Sequence, residues 1–192
     1  GLTPHQIIYD IVTAGDPQIS PDGSTLLFTR SWADPGAARS KSAIWTANAD
    51  GSDQRLFLAQ SSSPRWSPDG TQVSFVSDRG EHGNGVFVIP ADGGEPTELA
   101  RHRGGIGGLS WRPDGTMLSY TSAFDPDDPD DQGPDKDAAP RVRVVRREDY
   151  KQDNRGYLND VRQQAWLVGI DGADKRQLTN ELVDFEMPQW SP

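Results

Sequence analysis

Large apolar side chains recur at every second position in three short segments, separated mostly by small or polar residues. These pairs are Leu26 and Phe28, Val73 and Phe75, and Leu118 and Tyr120. A two-residue period places alternate side chains on the same face of an extended chain. The pattern therefore predicts three β-strands that each bury one face.

The same turn motif precedes each of these strands. Its copies are Ser20–Gly23 and Ser67–Gly70, both Ser-Pro-Asp-Gly, and Arg112–Gly115, which is Arg-Pro-Asp-Gly. Proline presets φ at the first central position of a type I turn, aspartate tolerates the second, and glycine takes the left-handed position that follows. Because this is a common loop between antiparallel strands, we predict a β-hairpin in each copy. A fourth copy begins at Pro188 and has reached its second proline at Pro192.

A second motif follows each hairpin and adds two more strands to it. An aromatic residue stands five positions before an Asp-Gly pair in all three copies, and a short apolar stretch comes next. The aromatic residues are Trp45, Phe87 and Trp166, and the stretches end at Leu56, Leu99 and Leu178. Each unit thus predicts a meander of four antiparallel strands.

The spacing of the units predicts an all-β fold of the β-propeller type. Gly23, Gly70 and Gly115 lie 47 and 45 residues apart, close to the period of about 40–50 residues of known propeller blades. Four-stranded blades arranged radially protect their edges by repetition around an axis. A β-sandwich built from hairpins is the alternative, but it does not require the same two turn motifs in every unit.

The predicted organisation has an N-terminal helix at 1–14 and a partial propeller at 15–192. Blades are expected over about 15–60, 61–101 and 106–181, with an insertion at 123–163 and the first strand of the next blade at 186–192. About three blades form an incomplete ring, and stacked repeats need neighbours to bury their apolar faces. We expect the rest of the ring, or another copy of the chain, to cover the open faces.

The first residues have the features of a short helix. Thr3 is a suitable N-cap, Pro4 suits the first helical position, and Ile7, Ile8 and Ile11 form an apolar stripe. Since this segment lies outside the repeat, we expect it to pack on another part of the protein.

The insertion begins with a strongly acidic stretch. Residues 125–137 contain seven aspartates and one lysine, which accounts for −6 of the net charge of −10. Clustered carboxylates suit calcium, but the spacing is not that of an EF-hand, and charge runs are usually solvated loops. A solvated loop is the prediction, and a calcium site is the alternative.

A basic stretch, Arg141–Arg147, reverses the sign of the charge directly after the acidic one. These arginines balance the neighbouring aspartates in one interpretation. In the other, the strand offers a carboxylate-binding face to a peptide ligand through bidentate guanidinium contacts. Arg147 and Tyr150 are the candidate peptide-binding residues.

Composition and motifs argue against several classes of function. An acidic chain is a poor match to the phosphates of nucleic acid, no apolar run is long enough to cross a membrane, and the chain has no cysteine. Its three histidines are scattered, and no Gly-x-Ser-x-Gly elbow presents a nucleophile. We expect no catalytic residue, metal or cofactor in this chain, and no nucleic-acid or membrane partner.

The motifs resemble those of known families. The Ser-Pro-Asp-Gly hairpin, with Ser77–Arg79 after its strand, resembles the PD40-like propeller repeat shared by TolB-type proteins and the prolyl oligopeptidase family of serine peptidases. The insertion and the strand after it resemble the corresponding part of acylaminoacyl peptidases in that family. The segments that carry this second resemblance are Arg143–Lys151, Asn154–Leu158, Gln164–Val168 and Arg176–Thr179.

The resemblance implies a role and partners. In that family an N-terminal propeller caps an α/β-hydrolase domain and limits access to its catalytic triad. The expectation is a non-catalytic propeller segment that gates short peptides, with the remaining propeller, a hydrolase domain and a peptide substrate as partners. A homo-oligomer and a cytoplasmic location are further expectations. The alternative is a TolB-like, non-enzymatic, protein-binding propeller in the periplasm.

Overall fold

Three four-stranded antiparallel sheets make up the chain in its computed structural model, which describes residues 3–36, 39–80, 83–133, 151–152, 156–157 and 160–191. The first sheet contains β1 (Val12–Ile19), β2 (Thr25–Asp34), β3 (Arg39–Asn48) and β4 (Arg55–Ala59). The second contains β5 (Ser61–Trp66), β6 (Gln72–Ser77), β7 (Asn84–Pro90) and β8 (Thr97–His102). The third contains β9 (Ile106–Trp111), β10 (Met117–Phe124), β13 (Arg162–Gly169) and β14 (Arg176–Gln177). The sheets are open and do not close on one another, so the predicted incomplete propeller is confirmed.

The predicted hairpin turns connect the first two strands of each sheet. Gly23 donates its N–H to the Ser20 carbonyl at 2.8 Å, and Gly70 does the same to Ser67 at 2.9 Å. Both glycines have a positive φ, 75° at Gly23 and 73° at Gly70. The Asp22 carboxylate accepts from the Ser20 hydroxyl at 2.5 Å and from the Ser24 N–H at 3.0 Å. These hydrogen bonds, led by the one from Ser20, lower the pKa of Asp22 to about 2.

The second sheet is buried on both faces. Successive side chains of its strands point alternately toward the first and the third sheet. One set packs toward the first sheet at what we call the first junction; its buried apolar residues are Leu27, Ile44, Leu58, Val73, Phe75, Phe87 and Ile89. The other set packs toward the third sheet at the second junction; its buried apolar residues are Val76, Val86, Val88, Leu99, Ala100, Leu109, Trp111, Leu118, Tyr120 and Val168. The core of the chain therefore lies between blades.

A six-residue helix, α1 (Pro4–Tyr9), precedes β1 and belongs to none of the sheets. The Thr3 hydroxyl accepts from the Gln6 N–H at 3.3 Å, and Gln6 Oε1 accepts from the Thr3 N–H at 2.9 Å, which forms a capping box. The side chains of Ile8 and Ile11 are 56% and 50% exposed. Strand β1 begins at Val12, inside the 1–14 range expected for the helical segment.

The insertion separates β10 from β13 without disturbing their pairing, which runs from Met117–Gly169 to Phe124–Arg162. Between them the structure describes the acidic residues 125–133 and a small pair of strands, β11 (Lys151–Gln152) and β12 (Gly156–Tyr157). Residues 186–191, where the next strand was expected, form no strand within the described chain. In the described part of the chain, no helix has the length and apolarity that a membrane span requires.

Candidate functional site

A residue in the left-handed region precedes the tryptophan position of every repeat. Non-glycine residues seldom adopt a positive φ, yet three of the four do so here, and the fourth is a glycine. Their φ angles are 50° at Asp16, 55° at Ser63, 58° at Gly108 and 47° at Met187. Each lies three residues before Ile19, Trp66, Trp111 or Trp190, respectively. The residues around Met187 therefore repeat the local geometry of the first strand of a blade.

The three tryptophans connect successive repeats through one recurring hydrogen bond. The indole N–H of Trp66 donates to the Gln18 carbonyl at 3.2 Å, and that of Trp111 donates to the Arg65 carbonyl at 3.0 Å. Trp190 donates in the same way to the Ser110 carbonyl at 3.3 Å. In each case the acceptor stands directly before the equivalent position of the preceding repeat. This bond fixes how neighbouring first strands lie beside one another.

These first strands enclose a cavity of about 450 Å³. We call its lining the axial wall, after the line along which the first strands of the repeats meet. The residue directly before each tryptophan position contributes to this wall in all four repeats; these residues are Gln18, Arg65, Ser110 and Gln189. Three of them are neutral and polar, and Arg65 is the one cation at this repeat position.

Arg65 spans the first two repeats at the axial wall. Its Nη1 lies 2.9 and 2.8 Å from the two carboxylate oxygens of Asp16, and it also donates to the Pro64 carbonyl at 2.6 Å. Gln18 Nε2 donates to the same Asp16 carboxylate at 3.2 Å. The side chains of Arg65 and Asp16 are 26% and 32% exposed, so this ion pair is half-buried.

A second cavity, of about 830 Å³, lies where the β2–β3 hairpin meets the β4–β5 connection. Two of its three cations form ion pairs, Arg39 with Asp78 at 3.6 Å and Lys41 with Asp34 at 2.6 Å. The third, Arg30, lies over the Trp45 ring, with its Cζ 4.4 Å from the ring centroid. Its wall includes Val12, which is 47% exposed on the outer sheet of the arc. This cavity therefore borders an uncovered sheet face.

A buried histidine lies at the second junction. His102 is 3% exposed, its Nε2 is 3.0 Å from the Tyr120 hydroxyl, and its ring packs edge-on against Trp166. Burial, followed by the charge of Lys175, lowers the pKa of His102 to about 4, so the imidazole is neutral at pH 7. Asp131 Oδ2 lies 3.9 Å from His102 Nδ1. The neutral imidazole thus contacts a phenol and an indole ring inside the core.

The acidic start of the insertion contacts the second sheet through hydrogen bonds. The Asp131 carboxylate accepts from the Arg103 N–H at 2.8 Å, and Arg103 Nη1 donates to the Gln132 carbonyl at 2.6 Å. Gly133 has a φ of 82°, a left-handed conformation that favours glycine. Within the described residues, no group of three or more histidine, aspartate or glutamate side chains is arranged to hold a metal ion.

The predicted peptide-binding residues, Arg147 and Tyr150, lie outside the described residues, so their role stays a prediction. The structure instead brings together Asp16 and Arg65, which sequence reasoning did not single out. Aligning the repeats on the tryptophan position would have found Arg65, because its equivalents Gln18, Ser110 and Gln189 are all uncharged.

Two relatives share sequence similarity with the chain. It is 28% identical to an uncharacterized peptidase, YuxL, of Bacillus subtilis over 186 residues, which is 95% of this chain and 28% of that protein. It is 26% identical to dipeptidyl-peptidase 5 of Porphyromonas endodontalis over 140 residues, 71% of this chain and 20% of that one. No family model matches the chain.

The fold is shared with solved propeller proteins. Pyrococcus horikoshii acylaminoacyl peptidase superimposes with a TM-score of 0.67 at 15% identity, over 91% of this chain and 26% of that one. The chain shares the fold of this part of that peptidase. The resemblance to the N-terminal propeller part of an acylaminoacyl-peptidase-like protein is thereby confirmed. TolB from Acinetobacter baumannii also shares the fold, with a TM-score of 0.53 at 16% identity over 86% of this chain.

The chain covers a minor share of each of these proteins. It spans 28% and 20% of the two sequence relatives and 26% of the acylaminoacyl peptidase. The activity and the substrate of the whole protein are therefore matters for proposal.

Proposed function

We propose that this chain is the non-catalytic propeller segment of a serine peptidase of the prolyl oligopeptidase family, where it gates the access of short peptides to an α/β-hydrolase domain. The axial wall is the observation that carries the proposal. It offers a cavity along the line where the blades meet, whose lining alternates polar side chains with apolar ones such as Trp66 and Trp111, and an extended peptide could follow such a path.

The construction of the axial wall supports a gate of fixed width. The recurring indole hydrogen bonds hold adjacent first strands at a constant spacing, and the ion pair of Arg65 with Asp16 adds a side-chain connection between two of them. A rigid wall admits a single extended chain and excludes a folded domain. The similarity to two peptidases is consistent with this role.

The partners in this proposal are the remainder of the propeller, a hydrolase domain and a peptide. The exposed apolar residues at both ends of the arc suit the first of these, since adjoining blades bury such faces. They are Val12, Ile19 and Leu56 on the first sheet and Leu178, Leu182, Val183 and Met187 beyond the third. We place the protein in the cytoplasm, and a homo-oligomer remains part of the proposal.

The test compares a long and a small substrate in the intact protein that contains this chain. Gln189 lines the axial cavity and is exposed, so Gln189→Trp narrows the path without disturbing a core. We expect kcat/KM for an acetylated ten-residue peptide to fall about tenfold, equivalent to about 1.4 kcal/mol. Hydrolysis of p-nitrophenyl acetate, which is small enough to bypass a narrowed path, should stay unchanged.

Gln54→Trp is the matched control, because Gln54 is an exposed glutamine in the turn between β3 and β4. It should change neither substrate. Equal effects of the two variants on the peptide would contradict gating along the axial wall. Absence of hydrolysis of both substrates by the wild-type protein would favour the alternative, a TolB-like protein-binding propeller, for which the shared fold is the support.

A further inference from the structure

Arg65 uses only part of its hydrogen-bonding capacity within the chain. A guanidinium carries five N–H donors in a planar fork, and here Nη1 makes the contacts to both Asp16 oxygens and to the Pro64 carbonyl. Nε and Nη2 donate to no atom of the described residues. The edge that these two nitrogens form is one that binds a carboxylate through two parallel hydrogen bonds.

The Asp16 contact anchors the guanidinium without occupying that edge. Both carboxylate oxygens approach the same nitrogen, Nη1, at 2.9 and 2.8 Å, so the pair is not the two-nitrogen fork. Asp16 itself has a left-handed φ of 50°, and its carboxylate also accepts the hydrogen bond from Gln18. A side chain fixed at one nitrogen loses less conformational entropy when a ligand binds to the remaining two.

The position of Arg65 in the repeat makes it a distinctive group on the axial wall. Its equivalents, Gln18, Ser110 and Gln189, carry no charge. The cavity they share is therefore neutral except where Arg65 and Asp16 meet. Among the described residues that line this wall, a negatively charged group meets one cation, at the boundary between the first and second blades.

We propose that Arg65 binds the C-terminal carboxylate of a peptide in the axial cavity through Nε and Nη2. This inference rests on the proposed function, since it names the group on the peptide that the gate recognises. Arg65 is then a specificity-determining residue: it favours short peptides with a free C-terminus over the same sequences without the negative charge.

The experiment uses the intact protein and one pair of probes, acetylated trialanine as the free acid and as the C-terminal amide. The wild-type protein should have a lower KM for the acid. Arg65→Gln should raise KM for the acid about tenfold, which corresponds to about 1.4 kcal/mol and suits the loss of a charged hydrogen bond. KM for the amide and kcat for both peptides should stay unchanged. Arg65→Lys, which keeps the charge but not the fork, should raise KM for the acid by a smaller factor.

Asp16→Asn separates recognition from a loss of structure. Both Arg65→Gln and Asp16→Asn break the ion pair between the blades, but only the first removes the guanidinium. Asparagine at position 16 keeps an oxygen that can accept from Arg65 Nη1, so Asp16→Asn keeps the anchor and removes only a competing negative charge. KM for the acid should therefore fall by about threefold. If both variants raise KM for the acid and the amide alike, Arg65 has only a structural role and the inference is wrong.

Arg55→Gln is the matched control, because Arg55 forms an exposed ion pair with Asp53 at 3.5 Å in the turn between β3 and β4. It should leave both KM values unchanged. Hydrolysis of both peptides with no preference that depends on Arg65 would overturn this inference and leave the proposed function standing. Hydrolysis of neither peptide would contradict the proposed function. In that case, Kd values of the same two peptides measured by calorimetry would test the role of Arg65 without hydrolysis. Equal Kd values for the acid and the amide would overturn the inference about Arg65.

Discussion

The two junctions between blades differ in how they place charge around the same kind of apolar core. At the first junction, the stacked rings of Phe75 and Phe87, 5.5 Å apart, are covered by guanidinium groups. The Arg79 Cζ lies 5.4 Å from the Phe75 ring, and the Arg101 Cζ lies 5.7 Å from the Phe87 ring. At the second junction, the neutral pair of His102 and Tyr120 is buried within the core.

Copies of one repeat can therefore form interfaces that respond differently to pH. Arginine stays charged at every pH at which proteins are folded, and its stem and planar head can cover apolar rings without full desolvation. Burial keeps the His102 imidazole neutral, and protonating it inside the folded protein costs free energy. The stability of the first junction should therefore not change in mild acid, whereas the stability of the second junction should fall.

Truncating one buried side chain in either junction should cost the most stability. Phe75 and Leu118 are 0% exposed and belong to the first and the second junction, respectively. Phe75→Ala should cost about 3–5 kcal/mol and Leu118→Ala about 2–5 kcal/mol, because each leaves a cavity. Hydrogen exchange of the backbone amides should show Phe75→Ala weakening mainly β2 and β6, and Leu118→Ala mainly β10 and β13. Equal loss of protection at both junctions in either variant would mean that the blades do not act as separate units.

The next effect is a pH dependence confined to the second junction. The pKa of His102 is about 4 in the folded protein, against about 6.5 in an unfolded chain. As the pH falls from about 6.5 to about 4, the unfolded state binds a proton that the folded state does not. Stability is therefore lost across this window, by about 3 kcal/mol in total. Hydrogen exchange of β10 amides should show this loss, while the amides of β2 should not.

His102→Gln provides the control for that prediction, because glutamine can hydrogen-bond to Tyr120 but does not titrate. The variant should lose the pH dependence of β10 protection between pH 6.5 and 4. The groups that face His102 are Tyr120, Asp131 and Lys175. The pKa of Asp22, Asp50 and Asp69 is lowered by hydrogen bonds in the turns, so their stabilisation is lost only below about pH 4. Parallel pH profiles for wild type and variant would show that another group controls the junction.

The smallest effect tests a feature that the two junctions share. Trp66→Phe and Trp111→Phe each keep an aromatic ring but remove the indole N–H that bonds to the preceding blade. Each should cost about 1 kcal/mol, the usual net value of one hydrogen bond. Local unfolding free energies from hydrogen exchange of β5 and β9 should show similar losses. A loss at one junction only would show that the recurring bond is not equivalent in the two places.

The sequence predicts the repeat but not the contacts between its copies. Pro-Asp-Gly and the period-two strands specify local geometry, so the hairpins at Gly23 and Gly70 and the order of strands follow from short-range rules. The left-handed backbone of Asp16 and Ser63 does not, because non-glycine residues adopt it only where tertiary contacts compensate for the strain.

The acidic insertion illustrates the same limit. Its charge predicts a solvated loop, and Asp127 and Asp130 are indeed exposed. Asp131, however, accepts a backbone hydrogen bond from Arg103, which is 28 residues earlier in the chain. Periodicity and charge carry no information about such a partner. The ion pair of Arg65 with Asp16, 49 residues apart, was missed for the same reason.

The recurring tryptophan hydrogen bond bears on the order in which the blades fold during synthesis. In every copy the donor belongs to the later blade and the acceptor to the earlier one, and Ile19 in the first blade has no such donor to offer. Chains fold from the N-terminus as they leave the ribosome, at about 5–20 residues per second. Each emerging tryptophan thus finds its carbonyl already synthesised, so the blades can add one by one in the direction of translation.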